Sequence, residues 1–143
     1  MNQRILSVAV LAASLVTSSA GAFEGVTLAD YSGAEIFQRY CSSCHGEAAH
    51  GDGPVAPTLK VMVPDLTKIR IRYGEFPAAL IRDTIDGRGM PVVAHGTRVM
   101  PVWGRELWIE EGADVAAEST MRSAIKRLVE YLRELQVPEP ERR

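Results

Sequence analysis

Two stretches of this chain are closed to regular structure. Residues 46–64 carry Gly46, Gly51, Gly53, Pro54, Pro57 and Pro64, and residues 87–104 carry Gly87, Gly89, Pro91, Gly96, Pro101 and Gly104. No helix or central strand survives that density of breakers. Each stretch therefore reads as a loop of about 20 residues, a length uncommon inside a small domain. The 143 residues suit one domain, and 46% hydrophobic against 24% charged residues excludes wholesale disorder. Loops this long stay ordered only if something holds them, which predicts a buried group at the centre of the domain. A formal net charge of −2 leaves no basic footprint for nucleic acid. No fixed period runs through the sequence, so repeat and coiled-coil architectures are excluded.

The remaining segments carry helical signals. Ser32-Gly33-Ala34-Glu35 fits a capping box, followed by Ile36, Phe37, Tyr40, Cys41 and Cys44 at helical spacing. Gly46 ends that helix. A second helix is predicted from about Pro77, with Leu80, Ile81, Thr84 and Ile85 as its buried stripe and Gly87 as its stop. A short helix is expected over about 105–112. The last is the clearest: Met121, Ile125, Leu128, Leu132 and Leu135 alternate spacings of four and three, and Val129 widens the face. Pro138 and Pro140 close it.

The first 22 residues have a different character. Arg4 precedes an apolar run from Ile5 to Val16, and Ala20 and Ala22 form an A-x-A cleavage pattern. This predicts a signal peptide over 1–22 and an exported, periplasmic domain over 23–143. The apolar run is shorter than the roughly 20 residues a membrane span needs, and the mature chain carries no transmembrane segment by the same criterion.

The chemistry is concentrated at Cys41-Ser42-Ser43-Cys44-His45. C-x-x-C-H is the attachment sequence for c-type haem. Two thiols at i and i+3 of one helical turn can each add to a vinyl group of the porphyrin, and the adjacent imidazole then projects at the iron. A thioredoxin-like dithiol would need a preceding strand, and a helix precedes this motif instead. A zinc site would want four ligands, and there is no second C-x-x-C. The two cysteines are also too close in sequence to staple the fold as a disulfide. The motif predicts one covalently bound haem c per chain, held by Cys41 and Cys44, with His45 as one iron ligand.

Three residues of the second loop compete for the other axial position: Met90, His95 and Met100. Met100 is favoured. Pro101 restricts the backbone beside it, and Trp103 can cover the haem edge. Met90 follows the second helix too closely to leave chain for passing around the haem, and His95 stands next to a permissive Gly96.

Taken together, these residues resemble a class I cytochrome c of the small soluble bacterial type. The resemblance covers nearly all of 30–137. It rests on Gly33 and Phe37 before Cys-Ser-Ser-Cys-His-Gly, then Pro57-Thr58-Leu59, then Met100-Pro101-Val102-Trp103-Gly104, then a helix with Tyr131 and Leu132. It implies an all-α, cytochrome c-like fold, with four to five helices and long loops wrapped around one covalently bound haem. It also implies that the first and last helices cross at Gly33, with Tyr131 packed on the crossing. A loop proline carbonyl would accept the Nδ1 proton of His45. Pro57 matches that role best, Pro54 is the alternative, and Pro64 and Pro91 read as plain turn residues. By the same resemblance the segment 105–120 looks inserted.

Other positions read as surface. His50 is expected to be solvated. Arg70, Arg72 and Arg98 are candidates for a haem propionate, with ordinary surface charge the stronger reading for each, and Tyr73 stands with them. The acidic run Glu106, Glu110, Glu111, Asp114 and Glu118 reads as a solvated helix face. The function this predicts is a non-enzymatic carrier that passes single electrons between redox partner proteins, membrane-bound oxidoreductases among them, through His45/Met100-ligated iron. The alternatives are a haem-bearing subunit of a larger periplasmic oxidoreductase, or a haem enzyme or sensor with an open sixth position, for which His95 would be the acid–base group.

Overall fold

The computed structural model describes residues 26–89 and 99–138. Within them the chain is helical, with no strand. Six α-helices follow in order: α1 (Gly33–Tyr40), α2 (Ser42–His45), α3 (Ile69–Tyr73), α4 (Ala78–Asp86), α5 (Trp103–Glu110) and α6 (Val115–Glu134). Single 3-10 turns sit at Leu28–Asp30, Ala56–Thr58 and Leu66–Lys68. The all-α class expected from the sequence is the class observed.

α6 organises the rest. Its 20 residues bury one face, with Met121, Ala124, Ile125, Leu128, Val129 and Leu132 all in the core. Asp114 caps its first turn by accepting from the Ala117 amide at 2.7 Å. Against this face lie Ile36 and Phe37 of α1, Ile85 of α4 and Leu107 of α5. The predicted capping box starts α1: Ser32 Oγ accepts from the Glu35 amide and the Glu35 carboxylate accepts from the Ser32 amide. α1 crosses α6 at Gly33. A Cβ there would stand 2.2 Å from the Arg127 carbonyl oxygen and 2.9 Å from Tyr131 Cβ, so only glycine allows the approach. The rings of Phe37 and Tyr131 then meet at 5.6 Å between centroids. Arg127 ties the preceding segment down by donating to the carbonyls of Tyr31 and Leu28.

Three expectations need correction. The first helix does not run unbroken through the cysteines, because Cys41, with φ stretched to −116°, is a turn residue that divides α1 from α2, and the Ser42 hydroxyl donates to the Gln38 carbonyl there. Leu80 is not buried: it is 40% exposed. Ile81, Thr84 and Ile85 face inward, and Leu80 falls at the edge of their arc. α3 was not anticipated by the helical pattern. The segment 105–120 supplies most of α5, including the buried Leu107, and the first turns of α6.

Candidate functional site

The cysteine motif is held by the loop that follows it. Gly46 closes α2 with a positive φ of 78°. The chain then doubles back, and the amides of Gly51, Gly53 and Val55 donate to the carbonyls of His45, Cys44 and Ser43 at 2.8–3.2 Å. The terminal carbonyls of α2, which a short helix leaves orphaned, are thus satisfied. This turn fixes Cys41, Cys44 and His45 along one wall of a cavity.

The cavity has about 900 Å³ of empty space between its walls, counting the part open to solvent. Its lining is almost wholly apolar. Phe37, Ile81, Ile85, Leu128 and Leu132 come from the helices, and Leu59, Val61, Val63 and Pro64 from the first loop. Met100, Pro101 and Trp103 line the same space. Tertiary packing therefore brings Cys41, Cys44, His45, Met100 and Trp103 to the walls of one cavity. Trp103 meets the ring of Tyr40 edge-on at 5.6 Å. Tyr40 donates its hydroxyl proton to Glu110 Oε1 at 2.8 Å, which fastens α1 to α5 beside the cavity.

The electrostatics suit a covalently tethered, iron-bearing group. Both cysteines are free and half-buried. Burial, with Cys44 alongside, pushes the Cys41 thiol up to about 12. Burial also lowers the pKa of His45, against the opposing effect of its hydrogen bond to the Pro64 carbonyl. The net effect favours the neutral imidazole, the form a metal ligand needs. Among the described residues no group of three or more His, Cys, Asp and Glu is placed to hold a bare ion. A donor set of two thiols, one neutral imidazole and one thioether around an apolar cleft fits haem c.

The carbonyl facing His45 is the principal correction to the predicted site. It belongs to Pro64, whose oxygen lies 3.4 Å from His45 Nδ1. Pro57 sits instead in the 3-10 turn Ala56–Thr58 and does not line the cavity. The doubled-back loop carries Pro57 past the motif, and the following segment, anchored by the Leu66 amide on the Ala49 carbonyl at 2.8 Å, brings Pro64 to the ring. The apolar run Val61-Met62-Val63 within an otherwise breaker-rich loop was the signal for this wall. Arg70 and Arg72 do not line the cavity; Arg72 donates to the Asp65 carbonyl at 2.6 Å. His50 is exposed and stands 3.6 Å from the Asp65 carboxylate. Met90, His95 and Arg98 lie outside the described residues, as does the segment 1–22.

Residues 29–118 match the family described as cytochrome C oxidase, cbb3-type, subunit III. Over 95 residues the chain is 35% identical to the cbb3-type cytochrome c oxidase subunit FixP of Azorhizobium caulinodans, a match covering 66% of this chain and 28% of that relative's length. No solved structure matches. No helix among the described residues is long and apolar enough to cross a membrane.

Proposed function

Because this chain belongs to the family of cytochrome C oxidase, cbb3-type, subunit III, and is accordingly a haem c electron-transfer protein, we propose that it works as a haem-bearing subunit of a larger membrane-bound oxidoreductase rather than as a free carrier. The family supports a covalent haem c, bound through the single C-x-x-C-H motif. The likeness to an oxidase subunit favours the assembled state. The observation that carries the electron-transfer chemistry is the apolar cavity onto which Cys41, Cys44, His45 and Met100 all converge.

The residues divide the work. Cys41 and Cys44 tether the group. His45 donates Nδ1–H to Pro64, which fixes its tautomer and directs a more basic Nε2 into the cavity. Met100, on the same cavity, would supply the second ligand to the iron, a soft thioether that favours the ferrous state. The apolar lining excludes water and raises the potential further. When bound, haem c supplies a one-electron Fe(II)/Fe(III) couple. With His45 and Met100 both held against the iron, no site would be left for a substrate, and the domain would relay electrons without catalysing a reaction of its own. Residues 1–22 serve as the export signal and 23–143 as the haem domain, which places it in the periplasm against its oxidoreductase partner.

Two measurements test this reading. In native gels of detergent-solubilised membranes, the haem-stained chain should migrate with oxidase activity; migration alone, in the soluble periplasmic fraction, would overturn the subunit assignment. Met100→Ala should abolish the weak near-infrared sulfur-to-iron band, lower the potential and open the reduced protein to carbon monoxide. Persistence of the band would remove Met100 as ligand.

A further inference from the structure

α4, α5 and α6 meet at an ion cluster that the cavity itself does not use. The guanidinium of Arg88, just past the end of α4, lies between two carboxylates. It donates to Asp86 through Nε at 2.7 Å and Nη2 at 2.9 Å. It donates to Glu118 on α6 through Nη1 at 2.7 Å and Nη2 at 3.1 Å. Arg122, one turn along α6, pairs with Glu118 as well. Arg88 and its two partners are only 21–31% exposed. Bidentate pairs with this shielding are among the strong charge-assisted hydrogen bonds, unlike solvated surface pairs.

The cluster is built against the start of α5. A Cβ on the buried Gly104 would lie 2.2 Å from Asp86 Oδ1 and 2.8 Å from Arg88 Nε. The Asp86 carboxylate therefore rests at the positive end of that helix. The N-cap of α5, Val102, offers no side-chain cap, so the start of this helix rests on the Asp86–Arg88 pair and on the packing of Trp103 against Tyr40. Gly104 closes the run Met100-Pro101-Val102-Trp103-Gly104, in which Pro101 has a fixed φ. Whatever fixes Gly104 also fixes, through this short stiff connection, where the Met100 thioether stands.

We propose that Arg88, clamped by Asp86 and Glu118, is a positioning residue for the sixth iron ligand: it seats Gly104, sets the start of α5 and so holds Met100 in the cavity. This rests on the reading of Met100 as that ligand. A neutral thioether is a weak axial ligand, so its bond depends on the chain keeping the sulfur in place. A local loosening here would release Met100 while leaving the tether at Cys41 and Cys44 and the His45 side intact.

Imidazole binding to the oxidised holoprotein tests it. Added imidazole can bind only when Met100 has left, so its apparent affinity follows the population of that state. Arg88→Gln should bind imidazole about tenfold more tightly than the parent, the scale of losing hydrogen bonds to a charged group. Arg122→Gln, which loses an exposed pair with Glu118 and acts on Asp86 only through its charge, should change the affinity by about twofold or less. In a Met100→Ala background, Arg88→Gln should give no further increase. If Arg88→Gln does not fold, Glu118→Gln, which keeps the Arg88–Asp86 pair, should show a smaller shift in the same direction. Parent-like imidazole affinity in the folded variant, or a rise equal to that of Arg122→Gln, would overturn the clamp. Retention of the sulfur-to-iron band in Met100→Ala would overturn the ligand reading and the clamp with it. Loss of that band with no imidazole effect from Arg88→Gln overturns the clamp alone.

Discussion

At Gly33 a single hydrogen in place of a methyl group sets the distance between the first and last helices. Alanine normally favours a helix over glycine by about 1 kcal/mol. Here the added carbon would stand 2.2 Å from the Arg127 carbonyl oxygen, and neither helix backbone can yield without disturbing Phe37 and Tyr131. Overpacking of this kind costs about 1–3 kcal/mol, so Gly33→Ala should lose stability where an exposed glycine would gain it. Thermal melts of the holoprotein check the sign, and an unchanged or raised midpoint would contradict it. The same scale separates what the sequence discloses from what it withholds. Cys41, Cys44 and His45 are legible because covalent attachment and ligation demand fixed spacing on one turn. Met100 and Trp103 are legible as candidates because a stiff Pro101 stands between them. The partner of His45 is not. A backbone carbonyl carries no side-chain signal, and whether Pro57 or Pro64 faces the ring depends on how the loop doubles back through the amides of Gly51, Gly53 and Val55.

At the scale of elements, the long periodic helices declare themselves and the short ones do not. α6 and the capped start of α1 follow directly from spacing and from Ser32 and Glu35. α3 is five residues long, and Ile69-Arg70-Ile71-Arg72-Tyr73 alternates like a strand. It is helical because the end of α6 holds it: Gln136 accepts from the Arg70 amide and donates to the Leu66 carbonyl. Leu80 is misplaced for a related reason, since a nine-residue helix beside a cavity turns only a narrow arc inward. Joints between elements also carry a pH dependence. Hydrogen bonds from Arg88 hold the Asp86 and Glu118 carboxyls below their ordinary values. Between the folded and unfolded values the unfolded chain binds more protons, so stability falls as pH falls. The contribution is complete above the ordinary carboxylate range of about 4 and is lost as pH drops through the lowered folded values. Denaturant midpoints measured from neutral pH to pH ~3 should fall, and should fall less in Arg88→Gln. Equal pH dependence in the two proteins would show that this joint does not carry the effect.

For the whole molecule, the arrangement of the core bears on how the first long loop, residues 46–64, is held. The helices bury one another along α6, but Leu59, Val61 and Val63 face the cavity and have little protein across from them. Ordering such segments costs about 1–2 kcal/mol per residue in backbone entropy, and contact with a haem held in the cavity would offset it. The tether matters for the same reason, because a covalently held group meets the loops at high effective concentration and cannot leave when they open. Cys41→Ala combined with Cys44→Ala, prepared free of haem, should therefore lack a cooperative thermal transition and keep only part of its helical signal. Circular dichroism across a thermal scan decides the matter. A sharp transition in the haem-free chain would mean that the contacts of α1, α4 and α5 with α6 suffice alone, and the loops would then need another source of order. A gradual loss of ellipticity would mean that the helices form marginally and that the cavity wall is completed by the group it encloses.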